Sequence, residues 1–246
     1  MNFIYRELVE TLEKYFLKPK PTGLILSGVV GCGKTTAVNY FLEKARRHFD
    51  VFCYTGADLQ FRQNVSFDSR FILNEVKAKA KKQIFVFIDE VQKSEEVFDA
   101  LKIAFDEGRI SFLVTGSNPA YLSTVAKKRL QRRADQILML PISLRELCIH
   151  NKFAVEPMAF EILLRKSQNL NEIVMPKNLD SPEIKQLISS YFKFGGLPLA
   201  LLGEDEEDKL REIRLTTERG FDLMMRDNAS LAEAVRIELA KLQSQE

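Results

Sequence analysis

Apolar residues recur in this chain with two different periods, and the alternation between them predicts a succession of helices and buried strands. Phe3, Ile4, Leu8, Leu12, Tyr15 and Phe16 keep helical spacing over residues 3–17, and Pro19 and Pro21 end the pattern. Short apolar runs at 24–27, 51–54, 84–88, 110–115 and 136–140 read as strands. After the first of them, Ala37, Val38, Phe41, Leu42, Ala45 and Phe49 return to helical spacing. Residues 68–82 predict a helix ending in Lys77, Lys79, Lys81 and Lys82, where cations complement the helix dipole; a nucleic-acid patch is the alternative reading. Ser94 is expected to cap a helix with Glu95 and Glu96 in its first turn, an apolar face of Val97, Phe98, Leu101, Ala104 and Phe105, and Gly108 past its end. Strands alternating with helices give an α/β fold, a mainly parallel five-stranded sheet covered on both faces.

After Pro141 the strand pattern stops and helical patterns take over. The expected division is residues 1–140, a sheet core with its N-terminal helix, and residues 141–246, an α-helical subdomain. Ser181-Pro182-Glu183 opens one helix of the second part, with proline at its favoured first position. The acidic run at 204–208 reads as the charged start of a helix containing Leu210 and Ile213, and Ser230-Leu-Ala-Glu233 as a capping box opening a last helix.

Composition narrows the field. A chain of 246 residues with 46% hydrophobic residues buries a sizeable core without staples. Its three cysteines, Cys32, Cys53 and Cys148, form no C-x-x-C pair, and two histidines are too few for a zinc cluster. A net charge of +2 does not by itself argue for nucleic acid. The N-terminus has no basic region followed by an apolar stretch, and no segment reaches about 18 uncharged apolar residues, so a soluble, cytoplasmic protein is expected.

The chemistry lies at the strand ends. Gly28-Val29-Val30-Gly31-Cys32-Gly33-Lys34-Thr35-Thr36 matches the phosphate-loop pattern between an apolar run and a helical one. In such a loop glycines let backbone N–H groups turn toward phosphate, the lysine reaches the β- and γ-oxygens, and the first threonine ligates Mg2+. The following helix points its positive end at the same place. Ile84-Phe85-Val86-Phe87-Ile88-Asp89-Glu90 is a buried strand ending in two acids, the Walker B pattern: Asp89 is expected on the metal and Glu90 on the attacking water. The next strand ends in Gly116-Ser117-Asn118-Pro119, where either Ser117 or Asn118 suits a γ-phosphate sensor and a helix cap is the plainer alternative.

With these motifs in place, the chain resembles the AAA+ ATPases of the archaeal-type group, P-loop NTPases related to the STAND switches. The resemblance implies a sheet in which the sensor strand sits between the phosphate-loop strand and the Walker B strand. Leu130-Gln131-Arg132-Arg133 and Ile137 to Leu147 resemble that family's arginine-bearing turn and the lead-in to its helical lid. Gly195-Gly196-Leu197-Pro198-Leu199-Ala200 resembles its GGxP lid motif, which implies that Pro198 packs beside the base or ribose. Arg133 best matches the residue that reaches a neighbour's γ-phosphate; a solvated basic turn or a DNA contact by the 127–133 cluster are the alternatives. Many relatives carry an additional arginine in the loop where this chain has Gly31-Cys32, and many continue into a C-terminal winged-helix or nuclease-like domain.

The function expected from these residues is binding of ATP or ADP with Mg2+, and hydrolysis coupled to lid movement or assembly. The alternative is a slowly hydrolysing switch or adaptor that regulates a protein or DNA-linked partner. A small-molecule kinase is a third class, opposed by the Asp89-Glu90 pair and the glycine-rich lid motif. A nucleotide-dependent homo-oligomer and a protein client are the partners implied, with DNA more weakly supported.

Overall fold

The computed structural model describes residues 4, 6–18, 20–152 and 181–227, with side chains of the last helix described through Gly220. The last helix expected from Ser230 therefore lies outside the described residues, as do Phe3 and Pro19. Five strands, β1 (Gly23–Gly28), β2 (Phe49–Thr55), β3 (Gln83–Asp89), β4 (Ser111–Gly116) and β5 (Ala134–Met139), form one parallel sheet in the order β2-β3-β4-β1-β5. The strand leading to Ser117 is thus inserted between the loop strand and the strand ending in Asp89.

Alternation along the strands divides the core. Leu24 and Leu26 of β1, with Phe85, Phe87 and Leu113, face α1 (Glu7–Phe16) and α2 (Lys34–Ala45). Phe16, Phe41 and Phe85 meet there with ring centroids 4.8–5.7 Å apart. Ile25, Val86, Ile88, Phe112 and Val114 point the other way, into a cluster supplied by α3 (Leu59–Phe67), α4 (Phe71–Lys79), α5 (Glu96–Gly108) and α6 (Pro119–Arg129). Beyond β5 come α7 (Leu144–His150), α8 (Pro182–Phe194), α9 (Pro198–Leu202) and α10 (Glu206–Asp227). A separate small cluster joins Ile142 and Leu147 to Leu187, Tyr191 and Leu201, and Ile4 of the N-terminal segment packs into it.

Four local expectations change. The helix expected over 68–82 spans only Phe71–Lys79, and α3 precedes it unannounced. Only Phe61 and Val65 of α3 are buried, a pair too sparse to show a period, while Asp58 caps it by accepting from the N–H groups of Gln60 and Phe61. Phe49 begins β2 instead of continuing α2, which ends at Ala45. Ser94 does not cap α5: residues 91–93 form a 3-10 turn, α5 starts at Glu96, and the Ser94 hydroxyl donates to Glu96 Oε2 at 2.8 Å. At α8 the cap is the one expected, with Ser181 Oγ accepting from Ile184 N–H.

Candidate nucleotide site

β1 ends at Gly28 and the chain re-enters regular structure at Lys34, so residues 29–33 must reverse direction in five residues. Gly31 and Gly33 do this with φ of 76° and 91°, a left-handed backbone that costs a glycine little. Gly33 is the N-cap of α2 and has no side chain to compete for the first-turn N–H groups. Lys34 is buried, and its ammonium donates to the carbonyls of Gly28 (2.8 Å) and Val29 (3.0 Å). Cys32 is fully buried under the loop, and burial pushes its thiol pKa up despite the charges of Lys34 and Arg6. It behaves as packing, as does the buried Cys148.

The two acids occupy the end of β3 and divide their contacts. Asp89 Oδ2 accepts from Thr35 Oγ1 at 3.0 Å, joining the end of β3 to the first turn of α2. Its Oδ1 accepts from Thr115 Oγ1 on the neighbouring β4 and from the Glu90 N–H. Glu90 adopts φ 52°, a left-handed backbone unusual for a glutamate, and this turns its side chain away from that of Asp89. Its carboxylate accepts from Gln92 Nε2 at 2.7 Å and from Ser117 Oγ at 3.2 Å. A Cβ on Gly56 would lie 2.3 Å from the Glu90 carbonyl oxygen, so the end of β2 backs directly onto this strained peptide.

Of the two sensor candidates, Ser117 reaches Glu90, whereas Asn118 Oδ1 accepts from Tyr121 N–H and caps α6. Arg133 is elsewhere. It precedes β5 at the starting edge of the sheet, opposite the strand ends that carry the loop, and its guanidinium grips Asp106 through two bonds of 2.7 and 2.8 Å.

Sequence reasoning passed over Arg6, Thr115 and Gln92. Arg6 is buried and threads three partners: Nε donates to Glu146 Oε1 (3.0 Å), Nη1 to the Cys32 carbonyl (2.7 Å) and Nη2 to the Leu140 carbonyl (2.6 Å). Glu146 in turn accepts from Glu7 N–H and completes a capping box with Ser143 at the start of α7. One ion pair therefore ties the N-terminal segment, the phosphate loop and the first helix after the sheet. The available signal was a lone cation within an apolar run. For Thr115 it was a hydroxyl in a strand buried along its whole length.

The helical segments close over the loop. A Cβ on Gly33 would lie 3.4 Å from Pro198 Cγ, and one on Gly31 would lie 2.9 Å from Thr216 Cγ2 of α10. Pro198 is held there by the turn before it: Gly196 accepts from Ile142 N–H at 2.7 Å, and the Tyr191 hydroxyl donates to the Ile142 carbonyl at 2.9 Å. A hollow of about 360 Å3 bounded by Ile4, His150 and Leu202 lies among these helices, and no loop residue lines it.

Thr35 and Asp89 suit Mg2+, an ion that keeps most of its waters and takes few protein oxygens alongside phosphates. Among the described residues no group of three or more histidine, cysteine, aspartate or glutamate side chains is placed to hold a metal unaided. No helix among them is long and apolar enough to cross a membrane.

A family model described as AAA domain matches residues 20–148, from the turn before β1 into α7. Uncharacterized protein MJ1637 of Methanocaldococcus jannaschii is 26% identical over 212 residues, covering 84% of this chain and 44% of that protein. Uncharacterized protein MJ1544 of the same organism is 25% identical over 187 residues, 75% of this chain and 37% of that one. The chain thus spans less than half the length of these curated relatives. The crystal structure of Pif1 helicase from Candida albicans aligns with a TM-score of 0.41 at 18% identity, covering 58% of this chain and 41% of that one.

Proposed function

This chain belongs to the AAA domain family, P-loop NTPases that bind and hydrolyse nucleotide, and we propose that its own reaction is Mg2+-dependent hydrolysis of ATP coupled to movement of the helices that follow the sheet. The observation that carries this reading is the 3.0 Å contact between Thr35 Oγ1 and Asp89 Oδ2 beside Glu90. It unites the loop hydroxyl and the strand-end carboxylate that Mg2+ needs, with a second carboxylate free of that duty.

In the proposed mechanism the N–H groups of residues 31–35 and the Lys34 ammonium bind the β- and γ-phosphates, with Lys34 exchanging a backbone carbonyl for phosphate oxygen. Thr35 and Asp89 hold Mg2+, whose chemistry is to draw charge from the phosphate oxygens. Thr115 fixes the Asp89 carboxylate from β4. Glu90 orients the attacking water and takes its proton at a carboxylate oxygen, after releasing Gln92 or Ser117. Ser117 is the sensor, because its hydroxyl donates to the Glu90 carboxylate. Residues from 141 onward form the lid, and Pro198 and Thr216 report the state of the loop through Gly33 and Gly31. Arg133 acts only on a neighbouring subunit's nucleotide, and only after leaving Asp106.

The test separates the two acids. Glu90→Gln keeps size and hydrogen bonding but cannot take the proton, so phosphate release slows by roughly 10² to 10⁴-fold while ATP still binds. Asp89→Asn also shifts the Mg2+ concentration needed for turnover. Lys34→Ala weakens ATP binding by about 1.5–3 kcal/mol, the range of a hydrogen bond to a charged group. Undiminished turnover in Glu90→Gln rejects Glu90 as the base. Binding without turnover in the wild type would favour a switch, a reading that the restraint of Glu90 by Gln92 and Ser117 also supports.

A further inference from the structure

The lysines near residue 80 are not all explained by their helix. Lys77 and Lys79 sit in the last turn of α4, where the dipole favours cations, but the helix ends at Lys79 and Lys81 and Lys82 lie past its cap. Their backbone N–H groups donate to Asp50 Oδ2 at 2.6 and 2.7 Å, which fixes the turn before β3 against the start of β2. These bonds hold the Asp50 carboxyl below the usual carboxylate range. The turn before β2 carries Arg46 and Arg47, both exposed. Because β2 and β3 are parallel neighbours, with Phe49 opposite Gln83, the two basic turns emerge side by side at the starting edge of the sheet.

Two shallow hollows flank them. One, of about 320 Å3, lies among Arg46, Asp50, Phe52 and Lys79; the other, of about 300 Å3, among Glu13, Lys44, Arg47 and His48. Among the described residues, the ion pairs here are Lys44–Glu13 and Lys79–Glu75, while Arg47, Lys81 and Lys82 are exposed and enter none. In the other basic stretch Arg129 is bound by Glu95 and Asp99 and Arg133 by Asp106, while Lys127, Lys128 and Arg132 are exposed. Folding thus assembles a basic edge from turns more than thirty residues apart in sequence, whereas two of the arginines in the contiguous cluster are held by carboxylates.

We infer that this edge, remote from the nucleotide site, binds the phosphate backbone of duplex DNA without reading sequence. Charge complementarity names the partner: compact turns of lysine and arginine suit phosphates spaced along a rigid rod, and such contacts position a protein without specifying bases. A single strand is the poorer fit, since sequence-tolerant single-strand binding uses exposed aromatic platforms. The phenylalanines lining the two hollows, Phe41, Phe49 and Phe52, are buried or partly so, which leaves the single imidazole of His48 exposed there in place of a platform.

The experiment is fluorescence anisotropy of a labelled mixed-sequence duplex with the full chain, titrated between 50 and 200 mM salt. The variant Arg47→Ala/Lys81→Ala/Lys82→Ala leaves the Asp50 bonds intact, because those use backbone N–H groups. The expected result is salt-dependent binding whose log–log slope becomes shallower by about 2.7 in the triple variant, from three lost contacts at about 0.9 each. Lys127→Ala/Lys128→Ala should leave the slope unchanged, and ADP affinity should be unaltered in both variants, so this inference fails or stands separately from the ATPase reading. No duplex binding by wild type, an unchanged slope in the triple variant, an equal loss in the 127/128 variant, or preference for anionic lipid vesicles or single strands over duplex would each overturn it.

Discussion

Removing Arg6 should destabilise the protein out of proportion to one side chain. Its guanidinium and the Glu146 carboxylate are 7% and 8% exposed, so the pair lies largely outside the screening that makes surface ion pairs weak. Arg6→Met fills similar volume but leaves Glu146 charged and buried, with only Glu7 N–H and the Ser143 groups still donating to it. It also strips donors from the Cys32 and Leu140 carbonyls. Breaking one side of such a pair costs about 3–5 kcal/mol. Domains of this size lose roughly 2–4 °C of Tm per kcal/mol, so a fall of about 6–20 °C is expected. The double variant Arg6→Met/Glu146→Leu should regain much of the loss, because two apolar side chains leave no buried charge behind. Urea unfolding and thermal melts of the wild type, both single variants and the double variant close the cycle. A single-variant cost under about 1 kcal/mol would refute the reasoning, since that is the worth of an exposed pair. A double variant as unstable as Arg6→Met would show that the lost bonds to loop carbonyls, and not the orphaned charge, carry the effect.

Two further outcomes follow from the geometry. Gly56→Ala places a Cβ 2.3 Å from the Glu90 carbonyl, and since the contact is with backbone the Glu90 peptide must shift; kcat for ATP should fall about tenfold or more, while the affinity for ADP stays close to wild type, and an unchanged kcat would show that the Glu90 backbone is not critical. The hydrogen bonds from Arg133 hold the Asp106 carboxyl below the usual carboxylate range, so its contribution is present above the ordinary carboxylate pKa and is lost as pH falls through the lower folded value. The pair is partly exposed and screened by solvent, so Asp106→Asn should flatten the acid limb of the urea midpoint by only about 0.2–1 kcal/mol, and a pH profile identical to wild type would exclude the linkage.

The sheet was legible in the sequence because its strands are buried on both faces, which leaves uninterrupted apolar runs such as Ile84 to Ile88. The phosphate loop was legible because its chemistry demands glycine, lysine and threonine in fixed order. What escaped depends on distance along the chain. Nothing near Arg6 announces that its partners are the carbonyls of Cys32 and Leu140 and the carboxylate of Glu146. Helix α3 escaped for a different reason: it lies on the outside of the cluster with only two buried side chains, and its cap residue Asp58 suits a loop equally well. The lysines past α4 resemble a helix end in the sequence because the pattern over residues 68–82 suits one helix, and the early stop at Lys79 gives them their separate place.

The strand order has a consequence for how the protein comes into being. β1 hydrogen-bonds to β4 and β5 and to no earlier strand, so its neighbours span residues 111–139. A chain emerging from the ribosome carries the whole phosphate-loop motif by residue 36, yet the strand that aims it stays unpaired until β4 has emerged, and is flanked on both edges only after β5. β2 and β3, made in between, have only one another as partners until β4 adds at the free edge of β3. Nucleotide affinity is therefore a property the nascent chain acquires late, and truncations ending before β4 should carry the motif without the site.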